Sequence, residues 1–212
     1  MKERISLGVV ILGAGRSERM GRPKLLLPWG ATSVLGHLIE RWEGLGAEQI
    51  AVVCAAGDRA VPAELDRLNI SRVGRIANPA PERGMFSSIR CAAEWSGWKN
   101  GLTHWAIVLG DQPHLGRETC QRLLEFSQRR LESVCQPRQG GHRRHPVLLP
   151  KAAFAGLANS TAADLKEYLA KCKTAFCELE DEGLGLDIDR EEDYERAVKM
   201  YFGSAHNQPA RE

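Results

Sequence analysis

Residues Val9 to Lys24 read VVILGAGRSERMGRPK, and the fold is decided there. The apolar run Val9–Leu12 is too short for a helix and is bounded by turn residues, so it reads as a buried strand of a parallel sheet. Gly13 and Gly15 follow at once. Glycine has no Cβ, so backbone N–H groups there can approach an anion closely. Arg16, Ser17, Arg19 and Lys24 then surround the amide-lined turn with donors and positive charge. Such a setting suits a polyphosphate better than a lone carboxylate.

Two familiar phosphate loops do not fit. A dinucleotide-binding G-x-G-x-x-G starting at Gly13 would need glycine where Glu18 stands. A P-loop follows G-x-x-x-x-G-K-S/T, whereas five residues separate Gly15 from Gly21 and Arg22 comes next. A glycine turn alone is a weak signal; the cations spaced through this one shift it to phosphate binding.

The chain has 212 residues, 43% hydrophobic and 26% charged, with a net charge of +2. That balance gives no reason to expect nucleic acid or a membrane as partner. No stretch approaches the about 20 apolar residues of a membrane span. A signal peptide cleaved from the N-terminus would remove the loop itself, which argues against secretion. Six cysteines without a CxxC pair or zinc spacing read as buried, reduced thiols, so a cytoplasmic setting is expected. Residues 1–203 are expected to form one domain and 204–212 a polar tail.

Strand-like and helical stretches alternate after the loop. Ser33 or Thr32 caps a helix through Trp42, Ile50–Ala55 is a strand, a helix lies near Val61–Leu68, and Val73–Ala77 is a third strand. Ser87 or Ser88 is expected to cap the helix after the loop at Asn78. Trp105–Leu109 is the clearest buried strand and ends in Gly110-Asp111-Gln112-Pro113. A carboxylate at such a strand tip can hold a cation beside the phosphate loop. Asp111 could instead cap the next helix; the loop at Gly13 favours the cation. A hairpin turns at Gly140-Gly141, with Val147–Leu149 returning. His142 and His145 lack further ligands nearby, so a structural or substrate-contacting role is expected of them. Asp187 and Asp189 would share one face of a strand, whereas Glu191, Glu192 and Asp193 suit a helix N-terminus. The expected fold is α/β: a mostly parallel mixed sheet with helices on both faces.

GAGRSERMGRPKLLLPWG, Gly13 to Gly30, resembles the signature of the MobA-like nucleotidyltransferases, written approximately LAAGxSxRMGxxKLLLP. The nearest branch by this resemblance is that of the molybdenum cofactor cytidylyltransferases, and the fold it implies is Rossmann-like. Asn78, Gly84, Met85, Ser87 and Ser88 match the family's N…GMSSSL segment beside the nucleotide. His145 and Pro146 match its GxxGHPVLF segment, which lines the acceptor pocket, with Arg144 where glycine is usual. Gln112-Pro113 follows the cytidylyl branch. Asp187–Tyr194 resembles DIDTPEDY, with Arg190 and Glu191 replacing threonine and proline, which weakens the expected cap. The branch's GDxGAR run is absent, and FAGLANSTAADLKEYL, Phe154 to Leu169, stands in its place.

The resemblance implies a Mg²⁺-dependent transfer of a nucleoside monophosphate to an acceptor phosphate, releasing pyrophosphate. Leu12, Gly13, Ala14, Gly15, Arg16 and Ser17 would cradle the triphosphate, Arg16 and Arg19 facing the leaving pyrophosphate and Lys24 the α-phosphate. Asp111, with Asp187 or Asp189, would hold the metal. Gln112, Pro113, His145 and Pro146 would meet the acceptor. CTP is the implied nucleotide and molybdopterin the implied acceptor, with a transient handover to a molybdoenzyme or its chaperone. A sugar phosphate or another small phosphometabolite stays open as acceptor, and so does a non-catalytic nucleotide-binding accessory protein.

Overall fold

The computed structural model describes residues 4–15 and 20–205. Its centre is an eight-stranded sheet. Strand β1, Leu7–Leu12, lies between β4, Ala47–Ala55, and β6, His104–Leu109, parallel to both, and β5, Gly74–Asn78, extends the β4 side. Beyond β6 lie β9, Val147–Pro150, then β7, Val134–Gln139, and β10, Thr174–Glu178. β9 runs antiparallel to both β6 and β7, and the short β8, His142–Arg143, pairs antiparallel with β7. A separate two-stranded hairpin, β2 (Pro28–Trp29) with β3 (Thr32–Ser33), follows the phosphate loop.

Side chains alternate across a strand, and β1 feeds two cores in that way. Val9 and Ile11 face helices α1 (Val34–Gly44), α2 (Ala60–Arg67), α4 (Arg117–Ser127) and α7 (Glu191–Ala205). Val10 faces α3 (Met85–Glu94), α5 (Lys151–Gly156) and α6 (Leu165–Ala170). The strand is apolar throughout because both faces are covered. Burying each such side chain contributes about 1.5–3 kcal/mol. Helix α1 starts where expected, with Ser33 Oγ accepting from the Gly36 N–H at 3.2 Å.

Some expectations shift. Helix α3 begins at Met85 behind Gly84, so Ser87 and Ser88 lie inside its first turn rather than capping it. Both hydroxyls accept from the Asn78 amide instead, at 2.8 and 2.9 Å. Asp187 and Asp189 do not sit on a strand; they follow a single 3₁₀ turn, Glu182–Gly185. Helix α7 runs to Ala205, beyond the expected boundary at 203, and residues 206–212 lie outside the described residues.

Candidate active site

Strand order reverses beside β1: the chain passes from β1 to β4 and β5, then returns to β6 on its other side. Loops leaving β1 and β6 therefore diverge, and a crevice opens at their carboxyl ends. A cavity of about 480 Å³ fills it. Leu12, Gly13, Ala14 and Gly15 form one wall, Pro23, Lys24 and Leu25 another, and Gly110 and Asp111 close the end. Gly84, Met85 and Ser88 stand opposite, with Pro81, Ala55 and Asp58. Met85 is 44% exposed, an apolar side chain left open at the mouth. Arg16, Ser17 and Arg19 lie outside the described residues.

The glycines serve different ends. A Cβ on Gly13 would lie 2.4 Å from Leu25 Cδ1, and one on Gly110 2.6 Å from the Leu12 carbonyl oxygen. Those two let β1, β6 and the Lys24–Leu26 turn close on one another. Among the described residues nothing lies within 4 Å of a Cβ placed on Gly15.

Lys24 is the hub. Its Nζ lies 2.6 Å from Asp189 Oδ1 and 3.6 Å from Asp111 Oδ2. The Ile188 N–H donates to the Asp111 carbonyl at 3.1 Å, which draws residues 187–189 against the tip of β6. Gln112 Nε2 donates to Asp187 Oδ1 at 2.8 Å. So Lys24, Asp111, Asp187 and Asp189 gather from the beginning, middle and end of the chain. Burial pushes the Asp111 carboxyl up to about 6, the Asp187 charge adds to this, and Lys24 opposes it. Asp111 Oδ1 is buried with no hydrogen-bond partner among the described residues. Among the described residues no cluster of three or more His, Cys, Asp or Glu side chains forms a ready metal cage.

The other expected residues divide. Gly84, Met85 and Ser88 line the cavity, whereas Asn78 and Ser87 do not. Asn78 is buried, its Oδ1 accepting from the Ala80 N–H and its Nδ2 donating to the two serines, so it shapes the loop from behind. Pro113 offers its carbonyl to Arg41 Nη2 at 2.5 Å, and Arg41 also meets His37 Nε2 at 2.5 Å. His145 Nδ1 lies 3.5 Å from the Ile107 carbonyl, and burial holds the imidazole below its ordinary range.

The sequence reading missed Asp58 in the cavity and Arg41 behind it. Asp58 was findable: Gly57-Asp58 turns the chain at the carboxyl end of β4, beside the switch point. Arg41 carries no such signal, since an arginine in an amphipathic helix reads as surface. It is nonetheless 7% exposed and lies 5.6 Å from the Tyr201 ring centre.

Residues 9–175 match the MobA-like NTP transferase domain, and the chain belongs to that family. It is 24% identical over 199 residues to the molybdenum cofactor cytidylyltransferase of Escherichia coli (strain K12), covering 92% of this chain and 97% of that one. It is 28% identical over 169 residues to a molybdenum cofactor guanylyltransferase of Rhizobium leguminosarum bv. trifolii, covering 78% and 70%. Among solved structures, Rv0371c of Mycobacterium tuberculosis H37Rv in complex with manganese superposes with a TM-score of 0.70 at 23% identity, covering 93% of this chain and all of that one.

Proposed function

We propose that the protein transfers CMP from CTP to a phosphate oxygen of a small acceptor of the molybdopterin class. The observation that carries this is the meeting of Lys24, Asp111 and Asp189 at the end of the cavity, beside the glycine loop. A triphosphate over Gly13–Gly15 would bring its α-phosphate to Lys24, with Arg16, Ser17 and Arg19 around the β- and γ-phosphates. The acceptor oxygen bonds to the α-phosphorus as the bond from the α-phosphorus to the oxygen it shares with the β-phosphorus breaks, and that electron pair leaves on pyrophosphate. A phosphate oxygen is already ionised at neutral pH, so no general base is needed. Positioning and charge neutralisation remain, which lysine and backbone amides supply.

A divalent cation fits the same place. Asp111 Oδ1 is a shielded carboxylate oxygen without a hydrogen-bond partner among the described residues, and the Asp187 and Asp189 charges act on it. Mg²⁺ is usually held by one or two carboxylates together with substrate phosphates rather than by a complete protein cage. Bound there, it would neutralise charge on the phosphate oxygens. That a structurally similar protein is a complex with manganese supports a divalent cation as a ligand.

CTP is favoured over GTP by Ala14, by Gln112-Pro113 and by the near full-length match to a cytidylyltransferase. The test is pyrophosphate release with Mg²⁺, CTP or GTP, and a panel of molybdopterin, its molybdate-loaded form and common sugar phosphates. Release with CTP and molybdopterin is expected. Release only with a sugar phosphate would move the acceptor to that class. No release from protein that binds CTP would leave a nucleotide-binding accessory protein. Tighter GTP binding by calorimetry would overturn the base assignment alone.

A further inference from the structure

Beside Gly185, two residues before Asp187, stands an arginine whose guanidinium finds no partner among the described residues. Arg144 leaves the β7–β8 hairpin just before His145. Its backbone is held at both ends, the N–H donating to the Pro137 carbonyl at 2.9 Å and the carbonyl accepting from Gln136 Nε2 at 3.2 Å. The side chain is half-buried and lies against Gly185, where an added Cβ would stand 3.6 Å from Nη2. Among the described residues its guanidinium makes no hydrogen bond and no ion pair, and Nε is shielded without a partner.

Its neighbours on the hairpin differ. Arg138 pairs with Glu178, and the guanidinium groups of Arg138 and Arg143 lie 4.9 and 5.1 Å from the Phe176 ring centre. Guanidinium stays charged at every working pH, so shielding it without an anion costs stability that a ligand would return. Two further polar atoms in this region are buried and unanswered, Gln136 Oε1 and Gln112 Oε1, on residues only 4% and 5% exposed. Gln112 also holds Asp187, two residues beyond Gly185. Arg144 therefore borders the segment leading to the reacting centre, outside the nucleotide cavity. It pairs with neither Asp111 nor Asp187, so it would meet a different part of a ligand from the phosphate that reacts.

We propose that Arg144 binds a second oxyanion of the acceptor, separate from the attacking phosphate, and so selects acceptors that are anionic at two positions. The inference rests on the nucleotidyltransferase assignment for the identity of that ligand. An arginine–oxyanion contact is charge-assisted and directional, worth about tenfold or more in affinity.

The experiment is calorimetric titration of the full chain with Mg²⁺ and the α,β-methylene analogue of whichever nucleoside triphosphate binds. That first titration judges the nucleotidyltransferase reading by itself. With the analogue saturating, glucose bisphosphate and glycerate bisphosphate are each titrated against their monophosphates, in wild-type protein, Arg144→Gln and Arg144→Lys. A bisphosphate should bind at least about tenfold tighter than its monophosphates in the wild type. Arg144→Gln should abolish that advantage and Arg144→Lys should keep part of it, with analogue affinity unchanged in both as the check on folding. No bisphosphate advantage in the wild type, or one that survives Arg144→Gln, overturns the proposal.

Discussion

Asp111 is ionised at neutral pH against the preference of its surroundings. Burial and the Asp187 charge lift its carboxyl from 3.8 to about 6, while Lys24 pulls the other way. A raised carboxyl favours the folded state only when protonated. That contribution is complete below 3.8 and lost as pH rises through about 6. Above pH 6 the ionised side chain therefore works against folding. Asp111→Asn should abolish pyrophosphate release yet raise stability by about 1–2 kcal/mol at pH 8, the loss of the Lys24 attraction limiting the gain. The gain should shrink toward pH 4. Thermal unfolding across that range, beside the activity assay, checks both signs; near-normal turnover would remove Asp111 from the reacting centre.

Two elements hold the site from outside. Helix α1 does so through Arg41, buried against Pro113 and His37, and burial and the Arg41 charge hold the His37 imidazole down at about 4. Neutral His37 can then accept from the guanidinium. Arg41→Met should leave the Pro113 carbonyl unpaired and cost about 1–3 kcal/mol in urea unfolding. Because Pro113 ends the loop that carries Asp111, the same change should weaken Mg²⁺-dependent nucleotide binding; unchanged affinity would separate the loop from the helix. Helix α7 acts through its first turn. Asp193 Oδ2 accepts from the Asp189 and Arg190 N–H groups at 3.1 and 2.8 Å, replacing the cap expected to be weakened there. Asp193→Ala should cost about 1 kcal/mol and free Asp189 from Lys24. By contrast Glu191, paired with Arg22 at 2.6 Å but half-exposed, should contribute about 0–1 kcal/mol.

Across the whole molecule, β1 is shared by two cores, and among the described residues the site is assembled from 13–15, 23–25, 110–112 and 187–189. A ligand bridging those segments stabilises the fold by mass action. Saturation at a hundred times Kd should add about 2.7 kcal/mol, seen as a rise in Tm with Mg²⁺ and CTP. Chelation of the metal should remove the metal-dependent part of that rise. Asp111→Asn should show no such part at all, which distinguishes a metal ligand from a general loss of binding.

The sequence by itself determined the elements and the loop chemistry. Val9–Leu12 is apolar on both faces and glycines follow, which fixes a buried parallel strand leading into an anion site whatever surrounds it. Ser33, Gly140-Gly141 and the Asp111 strand tip were legible for the same reason: each is a local pattern with a local cause. What only the tertiary structure decided depends on residues far apart in the chain. Asn78 and Ser87 look like ligands in the linear pattern, but their hydrogen bonds close on each other. Asp187 and Asp189 reach Lys24 from irregular backbone, because the Ile188 N–H finds the Asp111 carbonyl rather than a strand partner. Arg41 became internal and Arg144 half-shielded without a partner because helix packing and hairpin placement set burial, and no local spacing encodes what a side chain will face across the fold.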